Sequence, residues 1–195
     1  MRTTYLLIII IISLKAAAQK KPLYKDPKAP LEARIEDLLQ QLTVEEKISL
    51  LTSSGDTNKI GNMSVGMGGV STGLDPELSA IKYNKFAKYQ KEKTKYGIPS
   101  MYPAEGIFAF MGYKSTSFPQ PIAQAASWDP TLVTTVASIV GEEAKSRGVR
   151  MVFSPVLNIA RDPRWGRSGE TYGEDPYMIA RMGVAYVKTM EGKGV

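Results

Sequence analysis

The stretch Val149-Arg-Met-Val-Phe-Ser-Pro-Val-Leu157, followed by Asn158-Ile-Ala-Arg-Asp-Pro-Arg-Trp-Gly-Arg-Ser-Gly-Glu-Thr-Tyr-Gly-Glu-Asp-Pro176, decides the fold. The first part is almost continuously apolar, which predicts a strand over 149–157 buried on both faces, as in a parallel sheet. The second part concentrates three arginines, four carboxylates and two aromatic residues within 161–176. So much charge at the mouth of a buried strand does not serve packing. A planar guanidinium, always charged, matches vicinal hydroxyls or a carboxylate, and neighbouring acids hold it in place. The stretch reads as a polar binding wall.

Upstream of that strand, Asp129-Pro130 caps and starts a helix whose apolar stripe is Leu132, Val133, Val136, Ile139 and Val140, with Gly148 at its end. Farther back, residues 98–102 read as a short buried strand, and 76–95 as a long surface helix ended by Gly97. Downstream, a helix runs from about Pro176 to Gly192. Near the start, Leu31, Ile35, Leu38, Leu39 and Leu42 recur at helical spacing behind Pro30, taken as a first-turn residue. Thr43-Val-Glu-Glu46 is a capping box that opens a second helix running to about Leu51. Residues 61–73 are glycine-rich and read as a strand between tight turns. Gly66-Met67-Gly68-Gly69 lacks the lysine and spacing of a phosphate-binding loop.

Strand and helix alternate, so the fold class is α/β with a parallel sheet and crossover helices, with about three strands legible. Sites in such folds lie at the carboxyl ends of strands. Glu105 follows the strand at 98–102, and residues 158–170 follow the strand at 149–157. Both polar groups are therefore expected on one rim of the sheet.

Composition narrows the chemistry. The 195 residues contain no cysteine and no histidine. That excludes thiol nucleophiles, Ser-His-Asp catalysis and histidine-ligated metals within the chain. Carboxylates, lysines, arginines and tyrosines remain. Residues 1–18 carry the marks of an export signal: Arg2, the apolar core 5–14, and Ala16-Ala17-Ala18 as the cleavage site. The apolar core is shorter than the roughly 20 residues that span a bilayer; a retained membrane anchor is the alternative. Cleavage removes Arg2 and Lys15 and lowers the net charge from +6 to +4. The expected product is an exported protein (periplasmic or secreted), with no membrane attachment. Lys82, Lys85, Lys88, Lys91, Lys93 and Lys95 share a helical stretch with Ile81, Phe86 and Tyr89 and read as a solvated face, not a nucleic-acid patch.

These residues resemble glycoside hydrolase family 3, the family of many β-glucosidases and β-xylosidases. The resemblance runs through Leu31-Glu-Ala-Arg-Ile-Glu-Asp-Leu-Leu39, Leu42-Thr-Val-Glu-Glu-Lys-Ile48, Gly97-Ile-Pro-Ser100, Thr116-Ser-Phe-Pro-Gln120 and Ala125-Ala-Ser-Trp-Asp129. Its most specific parts are Asn158-Ile-Ala-Arg-Asp-Pro-Arg-Trp-Gly-Arg167 and Glu170-Thr-Tyr-Gly-Glu-Asp-Pro176. Together they cover nearly all of 24–190. The resemblance implies an incomplete (β/α)8 TIM-like barrel: residues 19–195 are the first part of the family's N-terminal domain, truncated, with C-terminal segments missing.

It further implies retaining hydrolysis of β-linked oligosaccharides or glycosides at their non-reducing ends, in carbohydrate catabolism. In that scheme two carboxyl groups stand about 5–5.5 Å apart, one as nucleophile and one as acid and base. No metal and no organic cofactor are implied. Arg167 matches the arginine that grips hydroxyls of the sugar in the −1 subsite. Glu105 matches the acidic residue that accepts hydrogen bonds from outer hydroxyls. Glu170, Arg161, Asp162 and Arg164 brace the loop, and Trp165 either lines the subsite or packs the loop. Where many members carry His-Gly, this chain has Phe108-Ala109. The family's Lys-His pair, nucleophilic aspartate and acid/base all lie beyond Val195, and none of Asp162, Glu170, Glu174 or Asp175 matches them. The fragment alone is expected to be inactive. A non-catalytic sugar-binding or partner-binding module is the alternative, with a phosphate-sugar or nucleotide enzyme third. Glutamate at 105 leans toward pentose substrates, because its extra methylene occupies space that a hydroxymethyl group needs.

Overall fold

The structure is a computed structural model that describes residues 22–51 and 73–195. The export signal at 1–18 and the glycine-rich strand, apart from Gly73, lie outside the described residues. The chain divides into two compact units, Met1–Ile48 and Ser49–Val195.

In the first unit, helix α1 (Leu31–Gln41) follows a 3-10 turn at Leu23–Lys25. Pro30 stands just before the first turn, at the N-cap, rather than within it. The Tyr24 N–H donates to Asp37 Oδ2 at 2.9 Å, and Arg34 Nε donates to the Tyr24 carbonyl at 3.1 Å. Helix α2 (Val44–Leu50) opens on the expected capping box. The Glu46 N–H donates to Thr43 Oγ1, and the Thr43 N–H donates to Glu46 Oε2. The apolar stripe is buried only at its end among the described residues: Leu31, Ile35 and Leu39 are exposed and Leu38 is half-buried, whereas Leu42, just past α1, is buried.

In the second unit, helix α3 (Pro76–Lys93) begins at Asp75, whose side chain accepts the Glu77 N–H. It stops two residues short of the expected end because the Thr94 hydroxyl donates to the Gln90 carbonyl and accepts from the Gly97 N–H. Its lysines, together with Lys95, are exposed, while Tyr83 and Phe86 lean on the core. The Tyr83 and Tyr102 rings meet edge to face with centroids 5.5 Å apart. Gln90 is fully buried and clamps Ser100: its amide donates to Ser100 Oγ at 2.7 Å and accepts the Ser100 N–H at 2.9 Å.

That clamp corrects the expected strand at 98–102. Ser100 spends its N–H on Gln90, and Pro99 has none, so pairing in 98–102 is reduced to a single bridge at Met101. Strand β1 is Pro103–Ala104 instead. Helix α4 (Pro121–Ala125), which the sequence pattern did not announce, precedes α5 (Pro130–Ser146). Asp129 caps α5 by accepting from the Thr131 N–H and hydroxyl at 2.8 and 2.6 Å. Val133, Val136, Ala137, Val140 and Ala144 form its buried face, whereas Leu132, expected in the stripe, is exposed at the first turn. Gly148 ends α5 with φ +86° and lies against the Tyr83 ring.

Strand β2 is Met151–Val152, not the long strand expected over 149–157. It runs parallel to β1 in the register Pro103 to Met151 and Ala104 to Val152, and the Phe153 N–H still reaches the Ala104 carbonyl at 2.8 Å. Pro155 then interrupts the ladder by lacking a donor, and pairing resumes only as a single bridge between Val156 and Thr171. Phe153 and Leu157 are exposed, so burial on both faces does not hold among the described residues. Helix α6 (Pro176–Lys193) starts where Asp175 Oδ1 accepts the Met178 N–H at 2.6 Å, and it lies along α5. Their contact, with Tyr102, Phe110 and Tyr172, makes the core of this unit.

Candidate functional site

Because β1 and β2 are parallel, the loops at their carboxyl ends emerge on the same side of the sheet. Glu105 is the first residue past β1 and is exposed. The segment it opens is held in three ways. Its own carbonyl accepts the Met111 N–H at 3.3 Å. Farther on, the Thr116 N–H and hydroxyl donate to Glu143 of α5 at 3.0 and 2.8 Å. Arg147, buried at the end of α5, donates to the Tyr113 carbonyl at 3.0 Å with its guanidinium 4.8 Å from the centre of the Phe110 ring.

The loop after β2 is a closed excursion whose two ends are tied together. The Val156–Thr171 bridge, the Thr171 hydroxyl on the Asn158 carbonyl at 2.5 Å, and the Ala160 N–H on the Gly173 carbonyl at 3.0 Å all join its limbs. A compact loop with adjacent ends presents its middle at fixed geometry. That middle carries two 3-10 turns, Pro163–Trp165 and Ser168–Glu170. In the first, Asp162 caps the turn and holds Arg164 through both carboxylate oxygens, with Nη2 to Oδ2 at 2.5 Å. This pair sits in solvent and braces the loop itself.

In the second turn, Arg167 donates from Nε at 3.0 Å and from Nη2 at 2.5 Å to one oxygen, Glu170 Oε2. The hydrogen bond to Glu170, then the charges of Glu170 and of Glu105, raise the Arg167 guanidinium above its ordinary value. The same hydrogen bond holds the Glu170 carboxyl below its own. Arg167 thus feels the Glu105 charge, and the two residues expected to bind sugar lie on loops that leave the sheet on the same side. Among the described residues they are not enclosed: the Arg167 side chain is 54% exposed and that of Glu170 27%. An open hollow of about 240 Å³ lies between β2 and the second half of α6, lined among others by Arg150, Val152, Ser154, Tyr186, Met190 and Val195, and neither Arg167 nor Glu105 lines it. Trp165, at the end of the first turn, is 38% exposed.

Beneath the rim, sequence reasoning missed a buried contact. Tyr186 of α6 donates from its hydroxyl to the Gly106 carbonyl at 2.5 Å and meets Ser154 Oγ at 2.7 Å. Burial pushes this phenol up to about 12. The only hint in the sequence was a serine inside an apolar run and a tyrosine on the apolar side of a helix.

Comparison with known proteins accords with this geometry. Residues 34–195 match the glycosyl hydrolase family 3 N terminal domain. Beta-glucosidase BoGH3A of Bacteroides ovatus is 31% identical over 98% of the chain and 24% of its own length. Beta-D-xylosidase 1 of Arabidopsis thaliana is 35% identical over 84% of the chain and 19% of its own. Among solved structures, the β-glucosidase EmGH1 of Erythrobacter marinus superposes with a TM-score of 0.74 at 26% identity, covering 89% of this chain and 25% of that one. A β-glucosidase of Listeria innocua gives 0.63 at 30% identity, covering 84% and 24%. The chain therefore spans about a quarter or less of each of these four proteins, and its α/β fold is a partial TIM-like domain. On the strength of the domain match over residues 34–195 and of these relatives, the chain belongs to glycosyl hydrolase family 3.

Proposed function

We propose that this chain is the sugar-gripping, amino-terminal portion of an exported retaining β-glycosidase, of xylosidase or glucosidase type, that releases terminal non-reducing sugars. The observation that carries this reading is the Arg167–Glu170 pair standing within electrostatic reach of Glu105 on one rim of a parallel sheet. Glu170 engages the Nε and Nη2 side of the guanidinium, which leaves the Nη1 hydrogens and the second Nη2 hydrogen free to donate to adjacent hydroxyls. Held in place beforehand, the side chain loses little rotamer freedom on binding. Glu105 supplies the complementary acceptor. A vicinal diol, donor and acceptor at once, has the complementary chemistry for both groups, and a charge-assisted bond to each hydroxyl strengthens as water leaves.

The remaining acids of the loop have other duties. Asp162 holds Arg164, Glu170 holds Arg167 and Asp175 caps α6. In this reading the nucleophile and the acid/base belong to parts of the enzyme outside these residues, and the chain alone binds without turnover. The pentose preference inferred from Glu105 is part of the same proposal, and the relatives include xylosidases as well as glucosidases.

The test titrates the chain with methyl β-D-xyloside and methyl β-D-glucoside by ligand-observed NMR and assays nitrophenyl glycosides in parallel. Expected are saturable binding weakened about tenfold or more by Arg167→Ala, and no hydrolysis. Equal affinity in the Arg167→Ala chain, or turnover that this substitution removes, overturns the reading.

A further inference from the structure

We propose that Tyr186 is a positioning residue that sets the spacing between the two rim loops, and with it the placement of Glu105 relative to Arg167; this rests on the sugar-site reading of that rim. The Tyr186 ring is 1% exposed in the core between α5 and α6, and its hydroxyl reaches up to the rim. A phenol has one proton. Since it is given to the Gly106 carbonyl, the bond with Ser154 runs the other way, with Ser154 donating. Gly106 is the neighbour of Glu105, and Ser154 stands two residues past β2, at the root of the loop that carries Arg167.

One hydroxyl therefore joins the two roots from below. It does so at the point where the ladder ends, since Pro155 offers no N–H to extend the pairing. The approach is tight. A methyl group at position 106 would stand 3.0 Å from Ser154 Oγ, 3.2 Å from Tyr186 Oη and 3.2 Å from Val152 Cβ. An alanine here would make the Ser154 and Tyr186 hydroxyls give by a few tenths of an ångström. The same core holds a natural control. Tyr172 is 2% exposed, and its hydroxyl has no hydrogen-bond partner among the described residues. Tyr186 and Tyr172 bury the same group, but only Tyr186 ties loop to loop.

The experiment compares Tyr186→Phe with Tyr172→Phe in the 195-residue chain, reading amide hydrogen exchange by NMR and the affinity for methyl β-D-xyloside. In Tyr186→Phe, exchange is expected to rise about tenfold at Met111 and Phe153, whose N–H groups bond to Glu105 and Ala104. It should stay near its original value at Val140 and Ala144 in the α5 core. The xyloside Kd rises about tenfold, while Tyr172→Phe moves neither readout. Gly106→Ala, which keeps the tyrosine hydroxyl but presses a methyl group against it and Ser154, reproduces the pattern and replaces Tyr186→Phe if that variant does not fold. Uniformly faster exchange across the core with an unchanged Kd shows a packing role and refutes the proposal. If the unaltered chain binds no xyloside, the sugar reading falls and the positioning role with it, and the exchange data alone then decide whether the tie exists.

Discussion

Gly148→Ala tests how α5 hands the chain over to β2, and its cost can be worked from two separate sources. Gly148 has φ +86°, a conformation that costs an alanine about 1 kcal/mol. An added methyl would also stand 2.6 Å from Cγ and 2.8 Å from Cε1 of Tyr83. Displacing that ring from its edge-to-face contact with Tyr102 is overpacking, worth about 1–3 kcal/mol. The sum is about 2–4 kcal/mol. For a domain of this size it lowers Tm by roughly 5–15 °C. Thermal unfolding followed by circular dichroism measures it, and a double-mutant cycle separates the parts. In a Tyr83→Leu background the steric share disappears, and Gly148→Ala should cost only about 1 kcal/mol. A variant that melts within about 2 °C of the parent, or that costs the same in both backgrounds, refutes the assignment of the strain to Tyr83.

Two further outcomes rest on polar contacts. Gln90→Met keeps most of the volume but leaves the buried Ser100 N–H and hydroxyl without their partner. It is expected to cost about 2–4 kcal/mol in chemical denaturation, and a loss below about 0.5 kcal/mol would mean that water or another group already serves Ser100. Glu170 has its pKa lowered by Arg167, so the contribution of their contact is present above the ordinary glutamate value of 4.5 and fades as pH falls through the depressed value. The Arg167 Nε–H resonance should therefore hold steady from about pH 7 to 5 and move only below that, a transition that Glu170→Gln abolishes. Movement in the neutral range would contradict the pairing.

How much of this was legible in the sequence depended on how local each signal was. Asp129, followed by proline, marked a helix start because a cap is decided by neighbouring residues, and Asp75 and Asp175 cap two more helices in the same way. The Thr43–Glu46 box was readable for the same reason. The strands were read too long. The missing donors of Pro99 and Pro155 were legible and argued for shorter strands than apolar content alone suggests, whereas Gln90 claiming the Ser100 N–H from ten residues away was not. Arg167 and Glu105 were found through the family resemblance, and their shared rim through the alternation of strand and helix. The Tyr186 tie spans eighty residues and leaves no periodic trace.

The aspartate caps have one more consequence. The helices that come after the two rim loops, α5 and α6, have their first exposed amides already occupied by the carboxylates of Asp129 and Asp175. A bare helix start attracts phosphate, whereas these present a negative group in its place. Each of these two helix starts thereby repels a phosphate group instead of cradling it.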